Sequence, residues 1–147
     1  MAHIDYYFAT LSPYAYLAGM RMEEVAAKHG ATITYKPLDI MALFGRTGGT
    51  PPKDRHISRI EYRSIELLRQ SAGLGMEFNL KPAHWPTNMA PSSYALIAAQ
   101  NAGGGDRGKA THAMLRAAWV EAKAVADEGL ITACLEDAAF APSFALG

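Results

Sequence analysis

The sequence predicts an α/β domain that opens with a βαβ unit and continues as helices. Three observations carry this. His3 to Ala9 alternates, with Ile4, Tyr6 and Phe8 on one side at period two. Beyond Ser12-Pro13, the residues Ala18, Met22, Val25 and Ala26 repeat at helical spacing. Ala31 to Lys36 then gathers Thr32, Ile33, Thr34 and Tyr35, the β-branched and aromatic residues that suit a strand.

The first helix has a clear start. Ser12 accepts a hydrogen bond from an orphan backbone N–H, and Pro13 loses nothing at a position whose own donor has no partner. His29-Gly30 reads as the stop of a helix of about four turns, and Pro37 as the end of the second strand. Two strands joined through a helix are expected to be parallel with a right-handed crossover.

From Asp39 the character is helical. Asp39 caps a short helix through Phe44, and Gly45 to Pro52 forms a Gly- and Pro-rich loop. Arg55 to Gln70 reads as a helix with Ile60, Ser64, Leu67 and Leu68 on one face and Arg59, Arg63 and Glu66 outside it. Ser71 to Pro91 is irregular and holds Phe78, Trp85 and Met89, the pattern of a binding loop. Pro91 to Ala102 reads as helix, Gly103-Gly104-Gly105 as a break, and Asp106 as the cap of a helix whose Leu115, Ala118, Trp119 and Ala122 share a face. Thr132 starts a last helix to about Ala139, followed by Pro142 and a weakly structured end.

Composition narrows the function classes. The chain has 147 residues, half of them apolar, and 14 basic side chains balance 14 acidic ones. That fits one domain with a real core and gives no electrostatic reason to expect nucleic acid or membrane as partner. No apolar run approaches a membrane span, and cytoplasmic placement is the default. The single cysteine, Cys134, excludes an internal disulfide and a CxxC redox pair.

The motifs divide unevenly. Ser12 has two open readings on the residues alone: an N-cap contributing about 1 kcal/mol, or a hydroxyl placed where a helix N-terminus favours a thiolate, phosphate or carboxylate. GGGDRGK, Gly103 to Lys109, nearly satisfies a phosphate-binding loop. Position 110 is Ala, however, and the preceding segment is alanine-rich helix, so a helix–helix linker is expected. The five histidines lack zinc-site spacing, so no metal is expected. Ser12 also lacks the G-x-S-x-G context of a hydrolase.

Several stretches in order resemble the 2-hydroxychromene-2-carboxylate isomerases: SPYAYLA after the first strand, TITYKPLDI, GGTPP, EYRSIELLRQ and KPAHWP. This family is close to the kappa-class glutathione transferases and the DsbA-like branch of thioredoxin folds. The resemblance implies a thioredoxin-like βαβ half over residues 1–40, an all-helical insertion over 41–125 and a return segment over 126–147. The C-terminal ββα half, with its cis-Pro loop, is expected to be missing. It implies glutathione as cofactor, with Ser12 as the catalytic residue facing its sulfur and Pro13 and Asp54 beside it. Gly49, Lys53, His84, Trp85 and Asn88 are the implied substrate site, Trp85 stacking on an aromatic acid and Lys53 pairing with its carboxylate. The implied reaction is reversible addition of the glutathione thiolate to the chromene acid, which opens, rotates and releases trans-o-hydroxybenzylidenepyruvate. A homodimer is implied as well. The alternatives are a kappa-class-like transferase and a truncated, non-catalytic binding module of the same fold.

Overall fold

The computed structural model describes residues 1–146. Strands β1 (His3–Phe8) and β2 (Thr32–Pro37) pair in parallel, with His3 opposite Thr32, Tyr6 opposite Tyr35 and Phe8 opposite Pro37. Pro37 therefore lies inside β2 as its last residue, at a strand end where a missing donor costs least. One face buries Phe8 and Tyr35, whose rings meet edge-on with centroids 6.3 Å apart. Among the described residues the sheet has these two strands alone.

The connection between the strands differs from the single helix expected. It is two helices, α1 (Pro13–Ala18) and α2 (Arg21–Lys28), separated at Gly19. Gly19 takes φ 57°, a left-handed conformation that ends α1, and the Arg21 guanidinium donates to the Leu17 carbonyl at 2.9 Å. The apolar repeat from Ala18 to Ala26 runs through this break without registering it.

Asp39 does cap α3 (Ile40–Thr47), accepting from the N–H groups of Met41 and Ala42 at 3.0 Å. The helix outruns Phe44 and stops at Gly48, whose φ is 71°. A short 3-10 turn, Pro52–Asp54, leads to α4 (Ile57–Leu74), displaced toward the C-terminus from the expected span. Its inward face also differs. Leu67 is fully buried and Ser71 nearly so, while Ile60 and Leu68 are exposed. Arg63 and Glu66, expected outside, are half-buried.

Helices α5 (Ala90–Ala102), α6 (Arg107–Trp119) and α7 (Glu128–Asp137) enclose the core around Met114, Leu115, Trp119, Ile131 and Leu135. Gly103, Gly104 and Gly105 all take positive φ between α5 and α6, and Asp106 caps α6 through the Lys109 N–H at 2.9 Å. The GGGDRGK stretch is thus a linker. Helix α7 begins earlier than Thr132, because Asp127 caps it through the Leu130 N–H at 2.8 Å. The end of the chain winds into a 3-10 turn from Pro142, with Phe144 packed on the core.

The irregular segment after α4 is anchored by its aromatics. Tyr16, Phe78 and Trp119 stack in a row, with centroids 6.2 and 5.4 Å apart. Trp85 leans on Trp119 at 5.8 Å, and the Trp85-Pro86 peptide is cis. Among the described residues no helix is long and apolar enough to cross a membrane.

Candidate functional site

The turn from β1 into α1 is held at each residue. The Ser12 N–H donates to the Ala9 carbonyl at 2.9 Å, and Thr10, wholly buried, takes a 2.9 Å hydrogen bond from the Ser92 hydroxyl of α5. Ser12 has extended backbone angles, and its Oγ accepts from the Ala15 N–H at 3.2 Å. The capping reading is therefore realised. A hydroxyl that accepts there still has its own proton to give, and the Tyr14 N–H, in the same first turn, has no partner among the described residues.

Ser12 opens onto a cavity of about 210 Å³ whose walls include Tyr14, Phe44, Arg55, Arg63 and Trp85. The Arg63 guanidinium lies over the Trp85 ring, 5.8 Å from its centroid, and that of Arg55 lies 5.7 Å from the Phe44 centroid. Arg55 Nε donates to the Thr50 carbonyl at 2.9 Å. Burial pulls the Arg63 pKa below its ordinary value, and the Arg55 charge acts in the same direction. Arg63 nonetheless stays cationic, since a guanidinium does not lose its proton in proteins. The Tyr14 hydroxyl donates to Glu66 Oε2 at 2.9 Å; burial first and this carboxylate second raise the phenol pKa. On its other side Tyr14 borders a groove of about 460 Å³ that runs along Tyr6, Phe8 and Leu43 and also reaches Ser12.

Of the residues singled out from sequence, Ser12, Pro13 and Trp85 meet at the cavity. The Trp85 indole N–H points to the Leu11 carbonyl at 3.4 Å, tying the loop to the residue before Ser12. Gly49 is exposed, and a Cβ there would fall 2.5 Å from a Phe44 ring carbon, so its bareness lets the loop close on that ring. Lys53 and Asp54 are exposed on the 3-10 turn, whose tight winding turns Pro52 and Arg55 to the cavity in their place. His84 is exposed and off the cavity wall. Asn88 caps the Ala90 N–H at 3.0 Å and borders a separate groove with Leu38, Met41 and Tyr94.

Sequence reasoning passed over Tyr14, Arg55 and Arg63. A signal existed for Arg63: it stands four residues before Leu67, and i, i+4 places the two on one helix face. Arg55 precedes α4, where no periodicity orients it. Cys134 is buried away from the cavity, and burial pushes its thiol up to about 11.

A family model described as DSBA-like thioredoxin domain matches residues 3–144. The chain is 29% identical over 136 residues to a 2-hydroxychromene-2-carboxylate isomerase of Sphingobium xenophagum, spanning 91% of this chain and 67% of that protein. It is 30% identical over 86 residues to the Pseudomonas putida protein of the same name, spanning 58% and 40% respectively. A solved structure of a 2-hydroxychromene-2-carboxylate isomerase superposes with a TM-score of 0.76 at 24% identity, over 99% of this chain and 71% of that one, and bears on the fold. The chain spans about two thirds or less of the length of the curated relatives it matches.

Proposed function

The chain belongs to the DSBA-like thioredoxin domain family, and from that premise we propose that it is a glutathione-dependent isomerase acting on 2-hydroxychromene-2-carboxylate or a close aromatic acid. The observation that carries this is Ser12, a hydroxyl with its proton unspent, at the first turn of α1 beside an aromatic and cationic cavity. A serine forms no mixed disulfide, so the reactive sulfur in this reading belongs to the ligand.

The residues fit that ligand. The Ser12 O–H and the Tyr14 N–H are donors aimed at developing negative charge, and α1 contributes little more, since its six residues carry a short dipole. The arginines add positive potential. Glutathione, when bound, supplies the thiolate that adds to the unsaturated acid and leaves again after rotation about the former double bond. Ser12 would hold the thiol end of glutathione, its hydroxyl donating to the sulfur and favouring the thiolate. Tyr14, held by Glu66, closes one side of the site, and the Leu11–Trp85 bond fixes the other. Pro13 orients this first turn. Gly49, Lys53, Asp54, His84 and Asn88 then have roles at the rim, outside the cavity wall.

Within this reading residues 1–40 form the first half of the thioredoxin-like domain, 41–125 a helical insertion and 126–147 the return. The active form is a cytoplasmic homodimer. The test is an absorbance assay of 2-hydroxychromene-2-carboxylate with and without glutathione. Conversion to trans-o-hydroxybenzylidenepyruvate that needs glutathione and returns it unchanged is the expected result. A product that retains glutathione would mean a kappa-class-like transferase. Conversion at the same rate without the thiol would overturn the reading.

A further inference from the structure

We propose that Arg55 and Arg63 form a carboxylate-binding wall in the cavity beside Ser12. This rests on reading that cavity as the reaction site, and it moves acid recognition from Lys53 to two residues of different standing.

Arg63 is half-buried, and among the described residues neither a carboxylate nor a carbonyl accepts from it. It rests on the face of Trp85, a surface that attracts a cation and leaves its in-plane donors unused. Glu66, the nearest acid to influence it, spends Oε2 on the Tyr14 hydroxyl. Among the described residues Arg55 spends only Nε, on the Thr50 carbonyl, so its terminal NH₂ groups have no acceptor, and its guanidinium lies 5.7 Å from the Phe44 centroid. Two like charges thus border one small space whose other walls include Leu11, Ile40 and Phe44.

Taking cations out of water without counter-charges is unfavourable, and an anion arriving in the cavity relieves it. The fork geometry of arginine selects planar oxyanions that accept two bonds at once. The volume of about 210 Å³ and the aromatic walls select a small, flat body; a cavity of roughly 150 Å³ accommodates a benzene ring. Polyphosphates fit poorly, because the wall offers neither a lysine nor a glycine-rich backbone cradle. The shared chemistry is therefore a carboxylate, supplied either by an aromatic acid or by glutathione itself.

Fluorescence titration, reading Trp85 and Trp119, and calorimetry of the full chain test this with phenylpyruvate, its methyl ester and glutathione, each added alone. The wild type is expected to bind phenylpyruvate at least about 10-fold more tightly than the ester. Arg63→Gln and Arg55→Gln should each weaken the acid by roughly 10- to 100-fold and leave the ester unchanged. Thermal melts check that both variants fold, and Arg63→Lys, which keeps charge but not the fork, should fall between. A loss confined to glutathione would assign the carboxylate to the tripeptide and keep the wall. Full affinity for both phenylpyruvate and glutathione in the folded variants would overturn it, as would a wild type that binds neither. A wild type that binds phenylpyruvate but not glutathione would leave the wall standing and remove the glutathione reading.

Discussion

Around Glu23, polar groups from three elements meet one another. The Tyr35 hydroxyl of β2 donates to Oε1 at 2.6 Å, and His112 Nε2 of α6 lies 3.2 Å from the same oxygen. Gly108 lets α6 approach, since a Cβ there would stand 3.0 Å from the Tyr35 oxygen and 3.1 Å from Glu23 Cγ. Around Ser12 the arrangement differs: Arg55, Arg63 and Ser12 border one cavity, and among the described residues neither the Arg63 guanidinium nor the terminal NH₂ groups of Arg55 have an acceptor. The first cluster joins α2, β2 and α6 through Glu23 Oε1, while Glu23 Oε2 has no partner among the described residues; the second joins no elements in this way. In the first, one carboxylate oxygen gathers two donors, and losing such a partner inside the protein is costly. In the second, the donors border a cavity.

The contrast can be broken at either cluster. The largest effect is expected from Ser12→Ala, which should lower glutathione-dependent turnover by about 100-fold or more in steady-state kinetics. Its stability loss should stay near the ~1 kcal/mol of a cap. Unchanged turnover would reduce Ser12 to that cap. Glu23→Ala should cost roughly 2 kcal/mol in a denaturant titration, since it strands the Tyr35 hydroxyl and the His112 ring, while phenylpyruvate binding persists. A variant as stable as the wild type would show that this cluster holds nothing together. Arg63→Gln should move the unfolding free energy by no more than ~1 kcal/mol, because the contact it gives up within the chain is the one with the Trp85 ring.

The last effect lies in alkaline solution. Burial raises the Cys134 pKa from 9.0 to about 11, and burial with Glu23 pushes the Tyr35 hydroxyl well above its ordinary value. Both groups are neutral when protonated, and the unfolded chain gives up these protons first. The Cys134 contribution is therefore complete below about pH 9 and declines as pH rises toward 11, while that of Tyr35 starts to decline only above about pH 10. Cys134→Ala should flatten that decline by on the order of 1 kcal/mol, measured as unfolding midpoints across the range.

The legible parts of this molecule are those decided by neighbours in sequence. Ser12, Asp39 and Asp106 were readable as caps, because a cap is a contact within three residues. The parallel pair was readable because alternation and β-branching report directly on a pleated surface. Gly19 was not, since an apolar repeat continues across a left-handed residue without changing period. Arg63 was misplaced for a related reason. Ile60 and Leu68 drew the inward face of α4 toward themselves, while the chain turned Leu67 and Arg63 inward, against the loop that carries Trp85. Ser12 was found as half of a site whose other half depends on where an irregular segment closes.

That closing contact, the Trp85 indole N–H at the Leu11 carbonyl, spans 74 positions. The strand, turn and helix that present Ser12 are contiguous in sequence, whereas the arginine-lined side is joined to them across a long loop whose closure carries an entropic cost. The two sides are nonetheless coupled: the Tyr14 hydroxyl donates to Glu66 of α4 at 2.9 Å, so a substitution at Glu66 reaches the first turn of α1 beside Ser12.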